Sequence, residues 1–561
     1  MSKPWLQFYD KQVSPELTVP HLTLPESLAN AAKKHPKQTA LVYLGARIHY
    51  RQLKNEVDAL AAALYALGVR QGDCVGIMMP NCPQAVIAYY ATLTLGAMTV
   101  MTNPLYVERE LEHQWRDAGV EIVISLDIFW PQIEAVRKHL PLKHVILGGV
   151  QDYMPLLKRT LAPLELKRRG KWVDVTYNET VHAFKKLVGA KYPAPPPITL
   201  SPDDVACLQY TGGTTGLPKG AMLTHRNLLS SLCQIRSFLL YEQQDDELIA
   251  LAIMPLFHVY GMNALMNMAI YMGATLVLIP QPEIKTIVDA IVVERPTFFA
   301  GVPALFVALN NYHSIDQVNL TSIRAVFSGA APLAVDVMEQ FETRTGARIA
   351  EAYGMTEASS VTHVNPLNGQ RKFGSIGVPI IGTDAKIVDA EDPGKELGVG
   401  EVGELMVKGP QVMRGYWHRT EETAVSLVDG WLRTGDIARM DEEGYFYIVD
   451  RKKDLILSAG YNVYPREVEE VLYQHPKVET AAVIGLPDGI RGEKITAYVT
   501  LLPGESATAA DIRSFCRERL APYKQPRKIV FRDELPKSLA GKVLRRKLRE
   551  EALAEIEKSS G

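Results

Sequence analysis

The chain has 561 residues, of which 47% are hydrophobic and 22% are charged, and its formal net charge is −2 at pH 7. This composition excludes a disordered chain, a collagen-like fibre and a small disulfide-linked scaffold. Because a single core rarely grows beyond about 250–300 residues, we expect two or more folding units. Near-neutral charge argues against a protein that binds nucleic acid.

Helical and strand patterns alternate along the first part of the chain. A helix is predicted over 52–67, a strand over 75–79, a helix over 83–95 and a strand over 97–101, and further buried strands are predicted over 120–125 and 144–147. Two long stretches almost without charge, 74–107 and 248–282, are interrupted by proline, asparagine and glycine, so we interpret them as buried helix-plus-strand units and not as membrane spans. The alternation predicts an α/β fold with parallel sheets covered by helices.

A basic segment interrupts this pattern between about 155 and 197. Its cationic residues are Lys158, Arg159, Lys167, Arg168, Arg169 and Lys171, and it ends in the proline-rich run 193–197. One interpretation is a solvated surface excursion that ends in a semi-rigid linker. The other is a basic patch that contacts anionic lipid.

A glycine-rich sequence with short, strand-like apolar runs follows Pro366 and leads to a charged cluster at 450–454. About 110 residues remain beyond this cluster, the size of a small domain. We therefore place a boundary there. It gives a large N-terminal domain over 1–450, which includes a β-rich subdomain, and a small α+β domain over 451–561.

A strand predicted over 205–209 leads into the run Tyr210–Gly220, which holds three closely spaced glycines, three threonines and Lys219. Successive exposed N–H groups in such a run form a nest for phosphate oxygens, and the hydroxyls and the lysine add donors. It is not a Walker A loop, because Lys219 stands between Pro218 and Gly220.

The run Tyr210–Gly220 resembles the phosphate loop of the adenylate-forming enzymes, which include acyl-CoA synthetases. Further blocks match in order, among them Pro255–Gly261, Glu351–Glu357, Trp431–Asp436 and Leu535–Arg546. Three blocks are most similar to those of bacterial long-chain fatty acid–CoA ligases: Pro255–Gly261, Gln411–Trp417 and Tyr461–Glu467. The resemblance covers nearly the whole chain.

The resemblance implies a nucleotide site. Tyr353 would stack on adenine, Thr356 would contact the α-phosphate, and Glu357 would bind Mg²⁺ with Thr211. Asp436 and Arg451 would bind the ribose hydroxyls, and Lys542 would be the catalytic lysine of adenylation. The other residues assigned to nucleotide are Gly212, Gly213, Thr214, Thr215, Gly216, Lys219, Ser328, Gly329, Ala330, Ala331, Glu351, Ala352, Gly354, Met355 and Ile448.

The resemblance also implies where the acid and CoA bind. His258, Tyr260, Gly261 and Gly301 would line the acyl site, where His258 positions substrate and does not act as a general base. Lys453 would be the hinge of a mobile C-terminal domain, and Ser458, Gly460 and Tyr461 would face the CoA channel. The methionine-rich helix predicted over 262–272 is interpreted either as an ordinary core helix or as a flexible wall of an acyl tunnel.

The activity implied is conversion of a fatty acid, ATP and CoA into acyl-CoA, AMP and diphosphate. The alternatives are a medium-chain or aryl-CoA ligase and, in a different class, a non-catalytic fatty-acid carrier or membrane-recruitment protein. An odd number of cysteines, five, and no apparent secretory signal favour a cytoplasmic location, at the inner face of the membrane if the basic segment binds lipid. No nucleic-acid partner is expected, and the choice between monomer and homodimer stays open.

Overall fold

The computed structural model describes residues 3–211, 218–239, 248–331, 333–458, 461–488, 492–537 and 543–560. Its strands, in chain order, are β1 (Thr39–Tyr43), β2 (Ala46–His49), β3 (Cys74–Met78), β4 (Met98–Thr102), β5 (Ile122–Leu126), β6 (His144–Gly148), β7 (Val181–Ala183), β8 (Val205–Thr211), β9 (Lys219–Thr224), β10 (Ile249–Ala252), β11 (Thr275–Leu278), β12 (Phe298–Gly301), β13 (Ala325–Ser328), β14 (Arg348–Tyr353), β15 (His363–Val364), β16 (Val378–Pro379), β17 (Asp384–Val388), β18 (Gly403–Lys408), β19 (Gly415–Tyr416), β20 (Leu427–Val428), β21 (Trp431–Met440), β22 (Phe446–Arg451), β23 (Ile456–Ser458), β24 (Tyr461–Val463), β25 (Val478–Asp488), β26 (Gly492–Leu501) and β27 (Lys528–Phe531).

The α-helices are α1 (Leu24–Lys34), α2 (Tyr50–Ala66), α3 (Pro83–Thr94), α4 (Glu108–Ala118), α5 (Trp130–Arg137), α6 (Leu156–Arg168), α7 (Phe184–Gly189), α8 (His225–Leu239), α9 (Val259–Gly261), α10 (Met268–Met272), α11 (Ile284–Glu294), α12 (Pro303–Asn310), α13 (Val335–Thr345), α14 (Thr420–Ser426), α15 (Pro465–Tyr473), α16 (Ala509–Arg517) and α17 (Arg545–Ser560). A π-helical segment, Met262–Asn267, joins α9 to α10. Within the described residues, no helix has the length and apolar character needed to cross a bilayer.

Local sequence explains where several helices begin and end. The Thr23 N–H and hydroxyl both bind the Glu26 carboxylate, a capping box that starts α1. Pro83 starts α3, where a missing N–H costs nothing. Gly346 ends α13 with φ +72°, a conformation that glycine adopts without strain.

Two mainly parallel sheets form the N-terminal part. The first has the order β19-β9-β8-β4-β3-β5-β6-β7, and the second has the order β16-β15-β14-β13-β12-β10-β11-β1-β2. The largest core combines buried side chains from both sheets with those of α2, α3 and the π-helical segment. This explains the two uncharged stretches, since α3 and the π-helical segment are buried on all sides.

The third sheet is antiparallel and forms the β-rich subdomain. Its strand order is β17-β18-β21-β20, and β22 pairs with β21. The fourth sheet has the strand order β24-β23-β26-β25, and β27 pairs with β26. It packs with α15, α16 and α17 around its own hydrophobic cores. β22 ends at Arg451 and the fourth sheet begins at Ile456, so the chain passes between these sheets within the charged cluster. The α/β architecture with a β-rich subdomain and a small C-terminal α+β unit is confirmed.

Two predictions of local structure need correction. The basic segment is not only a surface excursion, because β7 pairs with β6 and the side chains of Phe184 and Leu187 are buried. The methionine-rich helix is partly π-helical, and Met262, Met266 and Met268 are completely buried. Their burial fits a core helix, and the alternative, a flexible wall of an acyl tunnel, stays a prediction.

Candidate active site

The carboxyl edge of the second sheet brings three predicted site residues side by side. Gly301, Ser328 and Glu351 are neighbours in the parallel register of β12, β13 and β14. The buried Ser328 hydroxyl has no hydrogen-bond partner among the described residues, and the Gly329 N–H donates to the Gly301 carbonyl oxygen at 3.1 Å. Glu351 accepts the Leu333 N–H at 3.1 Å, and burial raises the pKa of its carboxyl group. Ligands of parallel sheets bind at this edge.

The turn after β14 is packed so tightly that its glycine is required. A Cβ at Gly354 would lie 1.5 Å from the Ser360 carbonyl oxygen. Thr356 and Glu357 follow in a 3₁₀ turn, and Ser359 ends it with φ +54°. The buried Asn263 amide of the π-helical segment donates to the Ser359 carbonyl oxygen at 3.0 Å. The turn that carries Glu357 is therefore fixed from both sides.

Glu357 is held by a residue from the first sheet. The Tyr416 hydroxyl donates to Glu357 Oε1 at 2.8 Å, and the Tyr416 ring lies under the Lys219 ammonium, 5.4 Å from Nζ to the ring centroid. Burial, and then the charge of Glu357, raise the pKa of Tyr416 well above its ordinary value, so this hydroxyl keeps its proton. Tyr416 thus connects the carboxylate predicted to bind metal to the lysine of the phosphate loop.

The two ends of the predicted phosphate loop lie together. Thr211 and Lys219 are paired in the antiparallel register of β8 and β9, while residues 212–216 lie outside the described residues. Asp117 holds these two strand ends in place. Its carboxylate accepts a hydrogen bond from the Tyr210 hydroxyl at 2.7 Å and forms an ion pair with Arg419 at 2.5 Å. The roles assigned to Gly212, Gly213, Thr214, Thr215 and Gly216 therefore stay predictions.

Tyr353 and Asp436 join the second sheet to the third. The Tyr353 hydroxyl donates to Asp436 Oδ2 at 2.5 Å, and Asp436 is 6% exposed. Asp436 also stands opposite Arg451 in the β21–β22 register, with Ile448 on the same strand as Arg451. The side chains proposed to hold adenine and ribose thus converge although 83 residues separate Tyr353 from Asp436.

The residues assigned to the acyl site lie beside this edge. The Tyr260 hydroxyl donates to the Gly301 carbonyl oxygen at 3.3 Å, and the Tyr260 ring covers Gly329. His258 is exposed, and its Nδ1 accepts the Tyr260 N–H at 3.2 Å, which places the remaining proton of the neutral ring on Nε2. A Cβ at Gly261 would lie 2.3 Å from the Pro255 carbonyl oxygen, so this turn also needs glycine.

The charged cluster at 450–454 is bound to the last helix. Arg545 donates to Asp450 Oδ1 at 3.0 Å, to Asp454 Oδ2 at 2.9 Å and to the carboxylate of Glu469 on α15. Burial alone would lower the pKa of the guanidinium, but the three carboxylates raise it, so Arg545 stays charged.

The predicted hinge and CoA residues lie on the small unit. Lys453 lies in the 3₁₀ turn Lys452–Asp454, and Ser458, which is buried, pairs with Tyr461 and Gly492 in the fourth sheet. Gly460 and Lys542 lie outside the described residues. Lys537 and Val543 flank the predicted lysine segment and form an antiparallel bridge.

Sequence reasoning missed the supports of the site. Tyr416 lies within the matching block Gln411–Trp417 but has no role implied by the resemblance, and Asp117 and Asn263 lie outside the matching blocks. A signal existed only for Asn263, because two asparagines, Asn263 and Asn267, stand in a stretch that is otherwise apolar, where each buried amide needs partners. Tyr416 and Asp117 gave no such signal, because their partners are distant in the sequence.

The chemistry of this site fits Mg²⁺. Glu357 offers a buried carboxylate fixed by one hydrogen bond, and the Thr211 side chain offers a hydroxyl. Within the described part of the chain, no cluster of three or more His, Cys, Asp or Glu side chains forms a metal cage. Mg²⁺ bound with a nucleotide needs only one or two carboxylates, because phosphates and water supply the other ligands.

We expect Tyr416→Phe to raise the Mg²⁺ concentration for half-maximal adenylation roughly tenfold, since the Tyr416 hydrogen bond orients Glu357, the carboxylate predicted to bind the metal. The ring under Lys219 is retained, so ATP affinity at saturating Mg²⁺ should change little. The measurement is a Mg²⁺ titration of acid-dependent pyrophosphate release. Tyr43→Phe, which also removes a buried hydroxyl, serves as the control. An unchanged Mg²⁺ dependence would exclude this role for Tyr416.

Comparison with known proteins places this site in a family. The model of the AMP-binding enzyme matches residues 28–417, and the model of the AMP-binding enzyme C-terminal domain matches residues 467–542. A long-chain-fatty-acid–CoA ligase of Bacillus subtilis (strain 168) is 43% identical over 98% of both chains. A ligase of the same description from Escherichia coli O157:H7 is 38% identical over 99% of this chain and 100% of its own.

The fold agrees with solved structures of the same kind. The anthranilate CoA ligase AuaEII in complex with anthranoyl-AMP superposes with a TM-score of 0.82, at 28% identity, over 96% of this chain and 98% of its own. The match extends through both units of the chain. This protein therefore belongs to the AMP-binding enzyme family.

Proposed function

We propose that this protein is a long-chain fatty acid–CoA ligase, which converts a fatty acid, ATP and CoA into acyl-CoA, AMP and diphosphate through an acyl-adenylate. It is an AMP-forming acyl-CoA synthetase, with ATP and CoA as substrates. The observation that carries the proposal is the convergence of Lys219, Glu357 and Tyr353 with Asp436 where three sheets meet. Full-length similarity to two ligases of this description supports the class of acid.

The first half-reaction has to turn a poor electrophile into a good one. The fatty-acid carboxylate attacks the α-phosphorus of ATP, and pyrophosphate leaves, so the acyl group then carries AMP as its leaving group. Thr356 and Lys542 are proposed to neutralise the charge that develops on the α-phosphate, and Lys219 binds the departing phosphates. The free Ser328 hydroxyl and the Gly329–Ala331 turn are proposed to hold the adenine and the acyl carbonyl.

Mg²⁺ would be bound by Glu357 and Thr211 and, with ATP, would offset phosphate charge. The residues of this chain do the positioning. Tyr416 keeps the Glu357 carboxylate in place, Tyr353 presents a flat ring to adenine, and Asp436 accepts a ribose hydroxyl. Holding reactants in one geometry supplies much of the catalytic effect in reactions of this kind.

The second half-reaction needs a different surface. The thiol of CoA attacks the acyl carbonyl, and AMP leaves with its bonding electrons. Lys542 must move away from the carbonyl to allow this. We propose that the unit over 451–561 rotates about Lys453, that the Asp450–Arg545 bond breaks in this rotation, and that Ser458, Gly460 and Tyr461 then line the CoA channel.

An assay of CoA thiol loss tests the activity and the acid class together. Purified protein is supplied with ATP, Mg²⁺, CoA and saturated acids from short to very long, and with an aryl acid. A long-chain ligase shows ATP-dependent thiol loss with the highest kcat/KM for long acids. A maximum with medium or aryl acids would assign the alternative ligase, and fatty-acid binding without thiol loss would assign the non-catalytic carrier.

We also propose that the protein works in the cytoplasm, in peripheral contact with the inner face of an anionic membrane. The basic residues of the segment around α6 support this contact, because anionic lipid attracts clustered lysine and arginine. A homodimer is the open alternative to a monomer, and light scattering distinguishes the two.

A further inference from the structure

Helix α6 carries an apolar stripe that faces solvent. Leu157, Leu161 and Leu164 are 73%, 54% and 68% exposed, and Leu156, at the start of the helix, is 77% exposed. The spacing i, i+4, i+7 places Leu157, Leu161 and Leu164 on one face of the helix. No residue of α6 is fully buried, and the face opposite the leucines, with Ala162, Pro163 and Leu166, is half-buried. The helix therefore lies on the protein surface with leucines turned outwards.

The same helix is strongly cationic. From Leu156 to Lys171 the chain has six basic residues and one carboxylate, Glu165, which leaves a net charge of +5 in a protein whose total is −2. Glu165 pairs with Arg168 and Arg169, both of which remain largely exposed. Lys158 donates to the Leu44 carbonyl oxygen at 2.8 Å and attaches the start of the helix to the turn between β1 and β2.

These two properties together select the partner. An apolar stripe alone would fit another protein or a second copy of this chain, and a basic patch alone would fit any polyanion. A surface helix with leucines on one face and lysine and arginine beside them fits the interface of an anionic bilayer, where leucine enters the acyl boundary and cations contact lipid phosphate.

We propose that α6 docks this protein on anionic lipid bilayers, with Leu157, Leu161 and Leu164 inserted below the phosphates and Lys167, Arg168 and Arg169 at the phosphate level. This gives the membrane contact of the proposed function a location and does not depend on ligase activity. The helix lies parallel to the surface, because it is too short and too highly charged to cross the bilayer.

The test is co-sedimentation with vesicles of phosphatidylglycerol and phosphatidylcholine, without ATP, CoA or fatty acid. Replacing Leu157, Leu161 and Leu164 by serine should weaken binding at least roughly tenfold, and the loss should persist in high salt. Replacing Lys167, Arg168 and Arg169 by glutamate should weaken binding roughly tenfold or more at low salt, and should remove the preference for phosphatidylglycerol. Turnover of a short, soluble acid should change less than twofold in both variants.

Matched controls separate the helix from general surface effects. Val292 and Val293 of α11 are 52% and 69% exposed, and their replacement by serine should leave vesicle binding unchanged. Reversing the exposed Arg513, Arg517 and Arg519 should also leave it unchanged. Equal binding of parent and leucine variant, or failure of the parent to bind, overturns the proposal. So does a change of oligomeric state in the leucine variant, because that would assign the stripe to a second copy of this chain.

Discussion

Lys542→Ala should slow adenylation severely while largely preserving thioester formation. Lys542 is proposed to face the α-phosphate in the first transition state, and removing this cation should slow acid-dependent pyrophosphate release by roughly 10²–10³. The second half-reaction, started from pre-made acyl-adenylate and CoA, does not need this cation and should proceed within a few-fold of the parent. The two half-reactions are measured separately, by pyrophosphate release and by thioester formation.

Lys537→Ala is the matched control, because Lys537 is an exposed lysine that opens the same segment and forms the bridge with Val543. This variant should keep both half-reactions. Equal loss of both half-reactions in folded Lys542→Ala would contradict the alternation of the small unit between two positions. Loss in Lys537→Ala as well would point to a general effect of the segment and not to one catalytic cation.

Glu357→Gln should lower adenylation at limiting Mg²⁺ by about 10² or more, because it removes the anionic oxygen that a hard cation requires. The amide oxygen of glutamine can still accept the Tyr416 hydroxyl, so the change removes charge and preserves shape. Excess Mg²⁺ should recover part of the rate. The measurement is pyrophosphate release over a Mg²⁺ titration, with the melting temperature as a check of folding.

Unchanged pyrophosphate release at limiting Mg²⁺ would remove Glu357 from the metal site. Comparison with Tyr416→Phe then assigns the effects. If Glu357 binds the metal and Tyr416 orients the Glu357 carboxylate, Glu357→Gln should shift the Mg²⁺ dependence more than Tyr416→Phe does. A larger shift in Tyr416→Phe would make the Tyr416 hydroxyl, and not the Glu357 carboxylate, the main determinant of the Mg²⁺ dependence.

The sequence predicts most local elements well, because local patterns determine them. The strand predicted at 75–79 is β3, Cys74–Met78, and the helix predicted at 83–95 is α3, Pro83–Thr94. Proline at the start and Gly96 after the end mark that helix, and the apolar run between them requires burial. The π-helical segment was not predictable in this way, since it depends on the distant bonds of Asn263 and Asn267.

The candidate site was only partly predictable, for a physical reason. Individual residues were assigned through ordered motifs, but their contacts are long-range. Tyr416 reaches Glu357 across 59 positions, and Arg545 reaches Asp450 across 95. No periodicity or spacing in the chain encodes such pairs, because they form only when separate sheets and helices pack together.

The meeting of three sheets at the site has a consequence for folding. Glu357 follows a strand of the second sheet, Tyr416 belongs to the first, and Asp436 belongs to the third. A partly folded chain with one sheet missing would lack at least one wall of the proposed nucleotide site. Nucleotide would then bind only the fully assembled N-terminal part and stabilise it by mass action. Protection of the protein by ATP during refolding would thus report the last step of assembly, the docking of the three sheets.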